Sequence, residues 1–456
     1  MAGIGFELRK FLKDESWGGI AKTYTYAGII SSGPWVLSIL GIMLVGMISV
    51  SRVNSPILVM EFLVSVTYLM SCSLIFTGLL QLVFTRFVAD RLYEGNRDKV
   101  LPNLIGAIAL TTSLSAGLGA SLLLLFFEQE LIYQLLMLVN FVVLCNIWIV
   151  VVFTAGMKKY KTILLVFFFS YAAIVLSSLI VQSLGTNGLL LAFLAGHTLL
   201  LFSLLILTVQ EYDSEEFIRF DFLKRTKIFP SLIFIGLFFN MGVWIDKWIF
   251  WFTEDTSDAV SGVLRASVIY DLPIFLAYLA IIPGMASFLV KIETDFAEVY
   301  QQYFSAVESG ETLDEIESLR VKMVITIREA IYQIFKVQGS TILIFFLLGP
   351  TIIEWLGISP LYIHLYYVDL AAVGMQVLFL AVLNIFFYLD FLKNALFMTA
   401  GLLLMNGVLS FLSLQMGPMF YGYGFALSIT LMTFIGIALL SAKLNRLNYL
   451  TFMLQK

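Results

Sequence analysis

Residues 162–184 read TILLVFFFSYAAIVLSSLIVQSL, a run of 23 positions without one charged side chain. At 1.5 Å per residue a helix of that length reaches roughly 35 Å, enough to cross the ~30 Å hydrocarbon core of a bilayer. Working outward, comparable runs recur toward the N-terminus near 24–50, 57–85, 101–127 and 130–155. On the other side they recur near 186–208, 229–252, 269–290, 331–353, 365–388, 394–415 and 421–441. With 162–184 they make twelve expected spans. None has the alternating ten-residue pattern of a membrane barrel strand, so the expected fold class is an all-α integral membrane bundle.

Composition agrees. The 456 residues are 60% apolar and 13% charged, about half the roughly 25% charge usual in soluble domains, which excludes an ordinary soluble enzyme. The net charge is -4 and basic residues are scattered singly, which leaves no concentrated basic face for nucleic acid. Cys72 and Cys145 each lie inside an apolar run with no second thiol nearby, so neither a disulfide framework nor a metal site is expected.

Orientation follows from lysine and arginine, which resist translocation. Of the 27 basic residues, all but Arg52, Lys247 and Arg265 fall on one side of the expected topology, placing both termini in the cytoplasm. Residues 1–23 carry Ile4, Leu8, Phe11 and Leu12 at helical spacing with Glu7, Arg9, Lys10 and Lys13 between them. They read as an interfacial helix, and not as a cleaved signal peptide. Two connections are long: 209–228, between the first six spans and the last six, and 291–330. In the latter, Gly310 and the Thr312–Glu315 capping spacing predict two short helices. Nine acids against four bases there read either as a solvated cap on the bundle or as a docking surface, with Glu293, Asp295, Glu298, Asp314 and Glu315 as its candidates. Residues 442–456 form a tail.

No GxxxxGK[ST] phosphate loop is present. His197 and His364 stand apart from any metal-binding or catalytic arrangement, and His197 reads as a packing residue ahead of a proton relay. Enzymatic chemistry is therefore not expected. Rare polar groups inside the spans point to transport. In the first span Ser31, Ser32, Pro34 and Trp35 fall near mid-bilayer; Pro34 removes a helix hydrogen bond, giving either a static kink or a substrate-lined break. The seventh span carries Asn240, Trp244, Asp246, Lys247, Trp248 and Trp251. Helix neighbours point about 100° apart, so Asp246 is expected to pair with Arg265 and Lys247 with Asp271. That cluster is either structural or a polar site. Pro273 and Pro283 predict an irregular eighth span.

Several stretches together resemble the Pel exopolysaccharide transporter family. They are Met1-Ala2-Gly3-Ile4-Gly5-Phe6-Glu7-Leu8-Arg9-Lys10, Ala27-Gly28-Ile29-Ile30-Ser31-Ser32-Gly33-Pro34-Trp35 and Asp246-Lys247-Trp248-Ile249-Phe250-Trp251. Asp271-Leu272-Pro273-Ile274-Phe275-Leu276-Ala277-Tyr278, Ile282-Pro283-Gly284 and Glu293-Thr294-Asp295-Phe296 continue the likeness. The resemblance implies a flippase-superfamily protein with six-helix lobes at 24–208 and 229–441 around a central cavity. It implies export of an aminosugar-rich polysaccharide across the bacterial inner membrane, beside a cytoplasmic glycosyltransferase and accessory membrane proteins; no cofactor is expected. Two other readings stay open: a non-transporting scaffold for the synthase, and an ion-coupled exporter of small molecules.

Overall fold

A computed structural model describes residues 23–25, 27, 28, 38, 41, 42, 44–46, 56–156, 159–224 and 229–453. The interfacial segment expected over residues 1–23 lies almost wholly outside them. Long helices dominate: α1 Pro56–Tyr93, α2 Val100–Phe126, α3 Leu131–Gly156, α4 Tyr160–Val181, α5 Gly185–Glu211 and α6 Pro230–Trp251. They continue as α7 Val268–Leu279, α8 Ile282–Val290, α9 Ala297–Ser309 and α10 Leu313–Trp355. The last are α11 Ile363–Tyr388, α12 Leu392–Met416, α13 Tyr423–Leu444 and the short α14 Leu447–Met453. Side chains such as Leu124, Ile180 and Leu347, 80%, 79% and 69% exposed, cover the outer surfaces as expected where lipid is the solvent.

Among the described residues nine helical segments are long and apolar enough to cross a membrane, ten if one bent pair counts as a single span. The expected twelve are not confirmed. One of the nine, Lys161–Glu211, has 51 residues and would extend about 77 Å if straight. It is broken at Gln182–Leu184, where Gly185 takes φ +65°, and α4 and α5 pack on each other as a hairpin.

Contacts divide the chain into two compact units, Pro34–Ser267 and Met1–Gly33 with Val268–Lys456. This division differs from the one by span order, because α6 packs along α1 inside the first unit. The packing is close: a Cβ on Gly236 would stand 2.2 Å from the Gly78 carbonyl oxygen, and one on Gly78 would stand 2.8 Å from that of Gly236. Paired glycines let two membrane helices approach backbone to backbone. The described part of the long connection, 209–224, is a strap. Phe222 is fully buried against Phe84 and Phe87, Arg219 N donates to Pro102 O, and Asp221 N donates to Asn103 Oδ1 at 2.7 Å. Lys224 is 2.5 Å from the Asp221 carboxylate and holds it below the usual carboxylate range. A two-stranded antiparallel hairpin, β1 Asp258–Ser261 and β2 Leu264–Ala266, folds the α6–α7 connection; no periodicity in so short a stretch announced it.

In the second unit the segment 291–330 departs from two short helices. Lys291–Phe296 forms a π-turn joined to α9, and Gly310 at φ +70° closes α9. Thr312 Oγ1 accepts from Glu315 N, as the capping spacing predicts. The helix it starts does not stop, running 43 residues to Trp355, because nothing between Glu315 and Ile331 breaks a helix and its buried stripe is continuous.

Candidate functional site

Each unit holds its own cluster of buried polar groups. In the first, α6 buries Asp246 and Lys247 at 0% and 3% exposure. They pair with each other: Lys247 Nζ lies 3.1 and 2.9 Å from the two Asp246 carboxylate oxygens and donates to Val243 O at 2.9 Å. The expectation that adjacent positions would not neutralise one another is thus corrected. The 100° offset applies to Cβ directions, and the four-carbon lysine stem is flexible enough to fold back over one turn. Arg265 does not hang free for Asp246. Its Nε and NH2 donate to Ser257 Oγ and Ser257 O, both at 2.9 Å, within the hairpin.

Aromatic residues precede and follow the pair along α6. Trp251 is stacked on Tyr68 of α1 at 4.6 Å and lies 6.1 Å from Trp244. Tyr68 Oη donates to Arg265 O at 3.0 Å, which ties α1 to the hairpin. Trp248 Nε1 is a buried donor with no hydrogen-bond partner among the described residues. Asn240 Nδ2 donates to Gly236 O at 3.1 Å, at the glycine crossing. Tyr68, Gly78 and Gly236 were missed by sequence reasoning because their partners lie far along the chain, and Ser257 because its role depends on a hairpin too short to show periodicity.

In the second unit Asp271 stands in the first turn of α7, where the helix dipole favours an acid. Pro273 lies within α7 without ending it, whereas the chain breaks just before Pro283, with α7 and the helical run Ile282–Ser309 bent by 43°. Gln338 of α10 donates to the Ala280 carbonyl at 3.1 Å, at that break. A Cβ on Gly284 would stand 2.1 Å from Gln338 Oε1, so glycine is what admits the side chain.

The docking candidates separate. Glu293 is 3% exposed and accepts from Tyr388 Oη at 2.8 Å, so it faces inward and is unavailable to a partner. Asp295 pairs with Lys291 at 2.7 Å, and Glu298 accepts from Gln302. Asp314 and Glu315 are exposed beside Glu308 and Glu311, at the turn between α9 and α10. His197 is hydrogen-bonded to Phe193 O at 2.9 Å and to Tyr171 Oη at 3.4 Å. Ser31, Ser32, Pro34 and Trp35 lie outside the described residues. Among the described residues no three His, Cys, Asp or Glu side chains gather as a metal site.

The profile of the family described as "PelG: Putative exopolysaccharide Exporter (EPS-E)" matches residues 1–452. No curated protein matches the chain. Among solved structures, the chain is similar to an outward-facing multidrug resistance MATE family transporter of the MOP superfamily. That match has a TM-score of 0.65 and 13% identity, covering 93% of this chain and 96% of the other. An inward-facing MATE transporter matches with a TM-score of 0.61 and 11% identity over 90% and 96% of the two chains. A MOP superfamily transporter from Pyrococcus furiosus matches with a TM-score of 0.62 and 12% identity over 93% and 97%. At such identities the likeness is one of fold.

Proposed function

Because the chain belongs to the PelG family of exopolysaccharide exporters, we propose that it carries an aminosugar-rich polymer of the Pel type across the bacterial inner membrane, with both termini cytoplasmic. The observation that carries this reading is the buried Asp246–Lys247 pair on the helix that also carries Trp244 and Trp251, the latter stacked on Tyr68. Apolar faces of sugar rings lie well on aromatic rings, and an amino group on the sugar is a cation. Such a cation competes with Lys247 for the Asp246 carboxylate. The acid then exchanges one positive partner for another and is never left buried and uncompensated, which would cost several kcal/mol. Trp248 Nε1 offers a hydrogen bond to a sugar oxygen. The remaining candidates for the path are Ser31, Ser32, Pro34, Trp35, Asn240, Arg265, Asp271, Pro273 and Pro283.

The test is the paired variant Asp246→Asn with Lys247→Met, which removes both charges without orphaning either. Export of polymer, scored with an aminosugar-specific lectin, should fall about tenfold, equivalent to ~1.4 kcal/mol in the rate-limiting step, while protein level in the membrane stays unchanged. Normal export would sink the role of the pair, and a parallel loss of protein would assign it to folding.

The proposal extends to a cytoplasmic glycosyltransferase, docking on the acidic turn formed by Glu308, Glu311, Asp314 and Glu315. Exposed charge chiefly speeds association and is screened beyond about 8 Å at physiological salt. Neutralising all four should weaken co-purification of the enzyme at low salt; co-purification that ignores both salt and the substitutions removes this surface.

A further inference from the structure

We propose that the groove between α10 and α13 binds the headgroup and one acyl chain of an anionic phospholipid, a site independent of the polymer path. The groove, about 120 Å³, has Ile327, Arg328 and Ile331 on one wall and Leu440, Ser441, Leu444 and Asn445 on the other. Its chemistry is graded. Ile327, Leu440 and Leu444 are buried and give an apolar floor, whereas Arg328, Ser441 and Asn445 are exposed at the rim. Among the described residues Arg328 makes no ion pair or side-chain hydrogen bond, so its guanidinium is available to a phosphodiester, which it matches bidentately. Ser441 and Asn445 can donate to the same phosphate or to the glycerol oxygens.

Depth identifies the occupant. Arg328 and Trp355 lie on one helix 27 residues apart, about 40 Å at 1.5 Å per residue, which is the thickness of a bilayer including its headgroups. Trp355 is 85% exposed at the end of that helix, and Leu343, Ile344 and Leu347 are exposed between the two. Arg328 therefore stands at the headgroup level of the opposite leaflet, and the apolar floor reaches inward from it as an acyl chain does. The positive-inside distribution makes this the cytoplasmic leaflet, whose anionic lipids favour basic pockets between helices.

Neighbouring charge supports an anion. Arg446 is exposed beside Asn445. Glu329, the adjacent acid, is exposed and set about 100° around the helix from Arg328, and Asp314 and Glu315 are about 20 Å away along α10, well beyond the ~8 Å screening length. The walls are also fixed to one another. Arg320 donates to Leu444 O at 3.1 Å, and Asn448 donates to Glu317 Oε2 at 2.6 Å, so the cleft is held open at its mouth and not formed by chance side-chain positions.

The experiment uses the full chain in nanodiscs of phosphatidylcholine doped with phosphatidylglycerol bearing a photoreactive acyl chain. Labelling should map to peptides containing Ile331 and Leu440. Native mass spectrometry should show phosphatidylglycerol retained about fivefold over phosphatidylcholine, the ratio for one basic contact of ~1 kcal/mol. R328Q should abolish that preference, R328K should keep part of it, and K322Q, two turns away, should leave it intact. The proposal falls if the two lipids are retained equally, if K322Q acts as strongly as R328Q, or if the label maps elsewhere. It falls equally if millimolar inorganic phosphate displaces the lipid, because the site then takes a free anion.

Discussion

Helix α6 and the α7–α8–α9 run solve the same problem in opposite ways. Helix α6 carries two charges among apolar residues yet keeps an unbroken backbone, because Lys247 neutralises Asp246 from the next position. The second run breaks at Ala280–Ile281 and again changes winding at Lys291–Phe296, and its polar groups are answered from elsewhere, by Gln338 and Tyr388. A charge compensated locally lets the helix stay regular. A backbone that departs from α-geometry needs donors from distant sequence, and those donors pin the helices that carry them.

The largest effect should come from breaking the local compensation. Lys247→Met leaves Asp246 buried without that partner and should cost about 3–5 kcal/mol, read as a lowered midpoint of thermal unfolding in detergent. Adding Asp246→Asn should recover most of the loss. A double variant as unstable as the single one would show that the two charges are not compensating each other.

Next in size is the crossing that supports α6. Gly236→Ala places a methyl against the Gly78 carbonyl, and overpacking of this kind costs about 1–3 kcal/mol. The same measurement should give a smaller value for Gly339→Ala, where nothing stands within 4 Å of the added atom. Equal effects would remove the helix contact as the cause.

The distant compensation is sharpened by Gln338→Leu, which removes the donor to Ala280 O for about 1–2 kcal/mol. Amide exchange should quicken at 280–285 and stay unchanged in α6. Uniform quickening would mean general loosening and not loss of this one bond.

Smallest is Asp221→Asn in the strap, worth about 0.5 kcal/mol for a partly solvated pair. Lys224 holds the folded Asp221 pKa below its unfolded value. The contribution is therefore present above the unfolded value, ~3.9, and is lost as pH falls through the folded one. The wild type and the variant should accordingly differ at pH 7 and converge only at a pH below the folded Asp221 pKa.

How much was legible varied with the range of the interaction. The 162–184 run, the cap at Thr312 and the break near Pro283 were readable, since each depends on residues within a turn or two. The burial of Glu293 was not, because Tyr388 lies 95 positions away, and an acid in an acidic stretch reads as solvated. The Asp246–Lys247 pairing was not legible for a different reason: neighbouring Cβ atoms do point about 100° apart, but the lysine stem is long enough to fold back across that offset.

Sequence by itself determined that this chain lives in a bilayer as a set of long helices, because hydrocarbon leaves an isolated segment no other way to satisfy its backbone. It also determined the family, through short stretches in both halves of the chain. Tertiary structure alone decided which buried charge meets which partner and where α6 packs. It also decided that 209–224 is a strap held by Phe222, because contact energies depend on which faces meet, and no local pattern encodes that.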